Sequence, residues 1–170
     1  MQLGPPASGY RVDMTHDSAA MSDPPAPSRP ARAFRATTLD ALNAMSRGTA
    51  MEPLGIEFTR IGTDHLVATM PVDQRTLQPY GLLHGGASVL LAETLGSTAG
   101  NLSCRDGYVC VGVEINANHL RGVRSGHVTG TARPLHVGGR TQVWEIRIED
   151  DRGRLACISR LTLAVVAMDP

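Results

Sequence analysis

Aromatic side chains are scarce in this sequence, in which two Phe, one Trp and three Tyr make up only 4% of 170 residues. Hydrophobic residues nevertheless account for 42% of the chain. A core of useful size is therefore available, but it must be built from aliphatic side chains. The length is that of one domain.

Net charge is also absent, because 16 basic residues are matched by 16 acidic ones. A neutral chain without a basic run is poorly suited to bind nucleic acid or an anionic membrane surface. Little electrostatic repulsion opposes association of one copy with another. We therefore expect neither nucleic acid nor a membrane as a partner.

Cysteines are few, and long hydrophobic runs are missing. Cys104, Cys110 and Cys157 form no CxxC pair, so neither a zinc knuckle nor a disulfide framework is indicated. We expect three small core residues in a reducing compartment. No stretch approaches the ~18 apolar residues of a membrane span, and the N-terminus lacks the features of a signal peptide. The predicted location is cytoplasmic.

Residues 1–36 are rich in Pro, Ser, Gly and Ala and show no apolar period. Met14 and Met21 lie within this segment, so translation can start later than residue 1. We predict that residues 1–36 are a disordered tail or a start-site artefact. The folded domain is predicted to span residues 37–167.

From residue 37 onward the pattern becomes regular. Thr37, with Asp40 three residues later, predicts the capped start of a short helix. Strands are predicted at 55–60 and 65–72, a long buried helix at 87–103, and about four strands thereafter, one of them broken at Pro134. Asp150 to Gly153 predicts a hairpin turn. This order favours an α+β fold, an antiparallel sheet wrapped around one long central helix, over a parallel βαβ fold.

One carboxylate, Glu93, lies within the long apolar helix. Burial of an ionised carboxylate is costly unless a partner pairs with it or a reaction uses it. Ser97 lies one turn later on the same face, which Gly86, Val89 and Gly100 are expected to share, so a substrate or water would have room there. Catalysis and pairing with an arginine, from this chain or a partner, both fit this spacing.

The pair Gly85-Gly86 stands at the head of the same helix. Its amides could bind a carbonyl oxygen that gains negative charge, or the glycines could simply allow a tight turn. His84 has no second ligand at metal-binding spacing, so no metal site is predicted. Ser88 lacks the strand–turn–helix context of a nucleophile elbow, so His84 is expected to be structural or to orient the substrate.

The motif HGGASVLLAETLGS carries a specific resemblance, supported by TLDALNAM, VGVEINANHLR, RPLHVGGRTQVWEI and RGRLACISRLTLAVV. From about residue 38 to 166 the chain resembles the hotdog-fold acyl-CoA thioesterases of the phenylacetate type. Within that family it is similar to bacterial 1,4-dihydroxy-2-naphthoyl-CoA hydrolases and to the enterobactin proofreading thioesterases. The resemblance implies a hotdog fold and hydrolysis of acyl-CoA, with aromatic acyl groups such as 1,4-dihydroxy-2-naphthoyl, benzoyl or hydroxybenzoyl.

The resemblance also implies roles for single residues. Glu93 would attack the thioester carbonyl or activate a water, and the Gly85 amide would polarise the carbonyl oxygen. Gln78 and His84 would position the carbonyl and the water, and Ser97 would assist Glu93. In this family the helix and the Gln/His loop come from different subunits, which implies an obligate dimer and a homotetramer of two dimers.

The resemblance also implies a channel for coenzyme A. Coenzyme A is part of the substrate, and no separate cofactor is expected. Arg121 and Arg140 suit the phosphates, but each also fits the pattern of an ordinary exposed arginine. Tyr80 and Leu120 depart from the residues usual in the family, which leaves the acyl group open. The residues implied for the channel are Gly112, His119, Leu120, Arg121, Gly122, His136, Val137, Gly138, Gly139, Arg140 and Thr141.

Three other functions are compatible with parts of this pattern. Hydratases and dehydratases of acyl thioesters share the fold, but the His/Asp or His/Glu loop that they need is not visible here. A non-catalytic acyl-thioester binder would use Glu93 structurally. A proofreading thioesterase would share every site residue and meet an acyl or aryl carrier protein as its partner.

Overall fold

The computed structural model describes residues 33–168, so most of the predicted tail at 1–36 lies outside the described residues. Its last four residues are described, and they contact the domain. The ring of Phe34 lies 6.2 Å from that of Trp144. The Arg35 N–H donates to the carbonyl of Leu102 at 2.8 Å. The chain is therefore anchored to the domain immediately before residue 37.

A single antiparallel sheet and one long helix dominate the described residues. The strands are ordered β1-β2-β4-β5-β6-β3, and neighbours are antiparallel throughout. This confirms the predicted α+β hotdog architecture. The elements are α1 (Leu39–Met45), α2 (Met51–Leu54), β1 (Glu57–Ile61), β2 (Leu66–Pro71), α3 (Gly85–Ser103), β3 (Tyr108–His119), β4 (His127–Val137), β5 (Thr141–Asp150) and β6 (Leu155–Ala167).

The core lies between α3 and the inner face of the sheet, and it is aliphatic as expected. Leu91 and Leu95 on α3 are fully buried, and both pack against Gly130 of β4. Burial of each such leucine contributes about 1.5–3 kcal/mol. Gly96 allows the helix to lie close on the sheet, because an added Cβ there would collide with Leu161. Small residues on α3 thus set how near the helix comes to the strands.

Several local predictions need correction. The N-cap of α1 is Thr38, whose hydroxyl accepts from the Ala41 N–H at 3.2 Å, and not Thr37. Helix α3 begins at Gly85, two residues before the predicted start. Pro134 does not break β4; it lies at a register shift, where the missing N–H of proline costs the ladder little. The hairpin turn at 150–153 is confirmed, with Gly153 at φ 70°.

An asparagine side chain holds each of the two edge strands. Asn43 of α1 donates to the Phe58 carbonyl at 3.0 Å and accepts from the Phe58 N–H at 2.8 Å. Asn101 of α3 accepts from the Cys110 N–H at 2.8 Å and donates to the Cys110 carbonyl at 3.2 Å. Each side-chain amide thus makes the pair of hydrogen bonds that a neighbouring strand would make. Asn43 does so on the free side of β1, and Asn101 on the free side of β3.

All three cysteines are buried and carry free thiols, as predicted. The sulfurs of Cys104 and Cys110 lie 3.0 Å apart at the end of α3 and the start of β3. Burial, with a smaller contribution from the Cys104 hydrogen bond, raises the pKa of Cys110 to about 12. Among the helices of residues 33–168, none has the length and hydropathy needed to cross a membrane.

Candidate active site

The N-terminus of α3 is capped by a histidine. His84 has an extended backbone, and its Nδ1 accepts from the Gly86 N–H at 2.8 Å. A ring nitrogen that accepts from an N–H carries no proton, so the proton of the neutral ring is on Nε2. The Gly85 N–H has no hydrogen-bond partner within residues 33–168. Of the two glycine amides, Gly85 is therefore the one available to an incoming oxygen.

The loop before α3 is a compact turn that fixes Gln78. Its side-chain oxygen accepts from the Tyr80 N–H at 2.6 Å, and its backbone N–H donates to the Leu82 carbonyl at 2.8 Å. Gly81 has φ 73°, a conformation that glycine adopts readily. The Leu83 N–H bonds to the Val123 carbonyl at 2.7 Å, which ties the loop to the segment after β3.

The carboxylate of Glu93 is half-buried on α3, two turns into the helix. Its Oε1 accepts from the Ser97 hydroxyl at 3.1 Å. In the described part of the chain, no basic side chain lies within ion-pair distance of Glu93. Gly112 of β3 packs directly against Oε1, and an added Cβ there would collide with it. The carboxylate is thus held by one hydroxyl without being neutralised inside its own chain.

A cavity of about 510 Å³ opens beside this carboxylate, and its walls are largely apolar. The prediction that Gly86, Val89, Glu93 and Ser97 share a face is confirmed, since all four line the cavity. The same prediction is wrong for Gly100, which is buried against Leu163 of the sheet. The lining residues are Thr49, Ala50, Met51, Gly86, Val89, Leu90, Glu93, Thr94, Ser97, Thr98 and Ile115.

The wall formed by residues 49–51 was missed in the sequence. It belongs to the start of α2, a helix of only four residues. The Thr49 hydroxyl accepts from the Met51 N–H at 3.3 Å, and a carboxylate oxygen of Glu52 accepts from the Gly48 N–H at 2.7 Å. The N-cap of α2 is Ala50, which makes no side-chain cap hydrogen bond, and four residues are too few to show a period, so neither signal locates this helix in the sequence.

The residues predicted to bind coenzyme A fall into two groups besides Gly112. The first follows the end of β3, where the N–H groups of Leu120 and Arg121 both donate to the Ala156 carbonyl, at 2.8 and 3.1 Å. The ring of His119 approaches Gly85, whose added Cβ would lie 2.9 Å from Nε2. Gly122 lines a second cavity of about 410 Å³, beside the turn between β5 and β6.

The second group, residues 136–141, forms the turn between β4 and β5. The Gly138 N–H donates to the Thr141 carbonyl at 3.0 Å, and Arg140 is exposed. His119 is opposite Cys157 on β6, whereas Thr141 is opposite Ala164. Cys157 and Ala164 are seven residues apart on β6, which corresponds to about 23 Å along the strand. One chain therefore does not bring the two groups together.

The same is true of the two reactive features of α3. Gly85 and Glu93 are eight residues apart on one helix, which corresponds to about 12 Å along the axis. A carbonyl within bonding distance of one is out of reach of the other. If both act on one substrate, the second must come from another copy of the chain.

Known proteins share this sequence and architecture. The sequence profile described as Thioesterase superfamily matches residues 80–157. The chain is 61% identical over 132 residues to the proofreading thioesterase EntH of Cronobacter turicensis, an alignment that covers 78% of this chain and 96% of that protein. It is 58% identical over 132 residues to the 1,4-dihydroxy-2-naphthoyl-CoA hydrolase of Escherichia coli, covering 78% of this chain and 97% of that protein.

Solved structures give the same result. The crystal structure of thioesterase HI1161 from Haemophilus influenzae matches with a TM-score of 0.78 and 51% identity, covering 80% of this chain and 95% of that one. A mutant of thioesterase PA1618 from Pseudomonas aeruginosa has the same score and identity, with coverage of 81% and 99%. The profile match spans Glu93 and both groups of predicted binding residues.

Proposed function

Because this chain belongs to the thioesterase superfamily of hotdog proteins and is a thioester hydrolase, we propose that it cleaves acyl-CoA thioesters with aromatic acyl groups. Groups such as 1,4-dihydroxy-2-naphthoyl, benzoyl and hydroxybenzoyl are the preferred candidates. The observation that carries this proposal is the half-buried Glu93, which borders the 510 Å³ cavity without a cationic partner in the described chain.

In this proposal the thioester carbonyl lies between two chains. Glu93 of one chain faces the carbonyl carbon, and the Gly85 N–H of the other donates to the carbonyl oxygen. That oxygen becomes negative when a nucleophile adds, so the amide stabilises the transition state more than the ground state. A single donor of this kind is typically worth about 10²–10³-fold in rate.

Two routes lead to the same products. Glu93 can accept a proton from water while the oxygen of that water adds to the carbonyl carbon. The C–S bond then breaks, and the coenzyme A sulfur leaves with the proton that Glu93 held. Alternatively, a Glu93 oxygen adds first, the thiolate leaves, and water cleaves the resulting anhydride. The Ser97 hydroxyl orients the carboxylate in both cases, while Gln78 and His84 position the carbonyl and the water.

The size and lining of the cavity suit an aromatic acyl group. Its volume lies within the range of about 300–1,000 Å³ that is usual for small-molecule sites. Aliphatic walls suit a flat ring, and the hydroxyls of Thr49, Thr94 and Thr98 suit hydroxyl substituents on it. One similar protein is named for hydrolysis of 1,4-dihydroxy-2-naphthoyl-CoA, a substrate of this class.

Pairing of two chains through β3 would complete both the reaction site and the coenzyme A channel. Val111 and Val113 expose 45% and 65% of their surface on this edge strand. In an antiparallel pair, the His119 end of one β3 lies beside the Tyr108 end of the other. The 119–122 segment of one chain then approaches the 136–141 turn of its partner, where Arg121 and Arg140 are available for phosphates. We further propose that two such dimers form the tetramer.

A carrier-bound thioester is the second candidate substrate, because the chain is 61% identical to a protein named as a proofreading thioesterase. The reacting groups would be the same, and the carrier protein would replace the nucleotide of coenzyme A. In both versions the reaction uses only the side chains and amides named above. The two substrates differ in what they contact outside the cavity.

A thiol-release panel tests these proposals. Benzoyl-, hydroxynaphthoyl-, phenylacetyl- and fatty acyl-CoA are compared with the same acyl groups on a phosphopantetheinylated aryl carrier protein. We expect the aromatic thioesters to react fastest. Release of thiol excludes hydration or dehydration as the main reaction, while a preference for fatty acyl groups would contradict the proposed substrate class.

Substitution of the carboxylate tests the catalytic assignment. We expect Glu93→Gln to lower kcat by about 10³-fold, because the amide can neither attack nor accept a proton. Binding of a non-hydrolysable acyl-CoA ether, measured by calorimetry, should change little. Glu57→Gln on β1 is the matched control and should retain full activity. Near-normal hydrolysis by Glu93→Gln would leave the protein without the proposed catalytic residue.

A further inference from the structure

Asn101 lies on α3, two turns beyond Glu93 and one turn beyond Ser97. Its Nδ2 donates to the Ser97 carbonyl at 2.9 Å and to the Cys110 carbonyl at 3.2 Å, and its Oδ1 accepts from the Cys110 N–H at 2.8 Å. The opposite amide orientation would place the oxygen against two carbonyls, so the hydrogen bonds themselves fix this one. Both ends of the side chain are therefore tied down.

These bonds connect the helix to the strand that confines Glu93. Strand β3 pairs only with β6, so its other side has no neighbouring strand within residues 33–168. Asn101 occupies that side at Cys110. Two residues later, Gly112 packs against Oε1 of Glu93 so closely that a Cβ would not fit. The hydrogen bonds of Asn101 to Cys110, called the Asn101 clamp below, therefore hold β3 to α3 two residues from the point where Gly112 contacts the carboxylate.

We propose that Asn101 is a positioning residue for hydrolysis, which holds β3 against α3 so that Gly112 and Ser97 fix the Glu93 carboxylate in its reactive orientation. Asn101 does not line the cavity beside Glu93, so it acts through these neighbours. Without the clamp, the start of β3 can move relative to the helix. A displacement of about 1 Å in a reacting group can cost about 10²-fold in rate.

The chain contains a matched control for this clamp. Asn43 makes the same pair of bonds to Phe58 on β1, the opposite edge strand, at 3.0 and 2.8 Å. Neither Asn43 nor Phe58 lines the cavity that contains Glu93. Loss of either clamp removes two hydrogen bonds between a helix and an edge strand. Only loss of the Asn101 clamp should alter the geometry around Glu93.

The experiment measures kcat, KM and thermal stability for Asn101→Ala, Asn101→Asp, Asn43→Ala and Asn43→Asp, using thiol release well below the melting temperature. Both pairs should lose stability. We expect the Asn101 variants to lose about 10- to 100-fold in kcat with KM changed less than about threefold, and the Asn43 variants to keep kcat within about twofold. Asn101→Ser provides a smaller polar replacement if Asn101→Ala does not fold.

This inference rests on the proposed function, and the two can fail separately. If the wild-type protein releases no thiol, or if Glu93→Gln remains active, the proposed function fails. If wild-type hydrolysis depends on Glu93 while the Asn101 variants keep their kcat, only the role of Asn101 is overturned. An equal fall in kcat for the Asn43 variants would also overturn it, because the effect would then follow stability and not position.

Discussion

The two edges of the sheet use the same asparagine clamp and yet present opposite surfaces. β1 is five residues long, has a register shift after Phe58, and exposes Glu57 and Arg60. β3 has 12 residues and exposes Val111 and Val113, and it too has a register shift, after Gly112, and an exposed carboxylate, Glu114. A short edge with few exposed apolar side chains resists pairing with another strand, whereas a long edge with exposed valines invites it. This contrast in length and apolar exposure is why the proposed dimer uses β3 and not β1.

A charge placed on β3, the edge with exposed valines, should have the largest effect on association and hydrolysis. We expect Val113→Lys to weaken pairing of the chains and to lower hydrolysis by about 10²-fold at low protein concentration, since the proposed site needs two chains. Light scattering and thiol release over a range of protein concentrations measure both effects. Thr59→Lys on β1 is the control, and it should change neither. Full activity in a monomeric Val113→Lys variant would refute the shared site.

Removal of a core side chain from β1, the short edge strand, should lower stability and leave catalysis unchanged. Phe58 is 3% exposed and belongs to the core, so Phe58→Ala should lower the free energy of unfolding by about 3–5 kcal/mol. Denaturant titration measures this change. The remaining folded protein should keep its kcat, because β1 contributes no residue to the cavity. A parallel loss of kcat would show that the two edges are functionally coupled.

Acid should lower the stability of the fold through two carboxylates near the start of β4, with a smaller effect. The Arg154 guanidinium holds the pKa of Asp150 at about 2, and the Arg75 guanidinium does the same for Asp73. Both values lie below the ordinary 3.8, so each carboxylate stabilises the fold above about pH 4, and its contribution is lost as the pH falls toward 2.

Substitution separates the two carboxylates. The Asp150 side chain is 7% exposed and that of Asp73 is 45% exposed, so solvent should screen the Asp73 pair more. Asp150→Asn should therefore reduce the pH dependence of the denaturation midpoint between pH 4 and 2 more than Asp73→Asn does. An equal response of the two variants would mean that exposure does not set their contributions.

The sequence predicted the central helix and the antiparallel sheet because both have long, regular patterns. Glu93 and Ser97 could be paired from their spacing of four residues, and their hydrogen bond agrees with it. Gly100 was misplaced because α3 is apolar nearly all round, so periodicity does not reveal which side meets the sheet. The position of its neighbours on β6 decides that, and those neighbours are distant in sequence.

Other features could not be predicted because they depend on contacts between distant segments. Helix α2 has four residues, too few to show a period, although it forms one wall of the cavity. The clamp of Asn101 on Cys110 depends on where an edge strand crosses the end of a helix. The roles implied for Gln78, His84 and the channel residues remain predictions.

The spacing of eight residues between Gly85 and Glu93 has a genetic consequence under the shared-site proposal. A twofold pair contains two sites, and each takes its amide from one subunit and its acid from the other. A subunit damaged only at the loop and a subunit damaged only at the acid are each inactive as homodimers. When the two inactive variants are co-expressed, every heterodimer regains one intact site. Each heterodimer should therefore show half the activity of a wild-type dimer, so the two variants should complement each other.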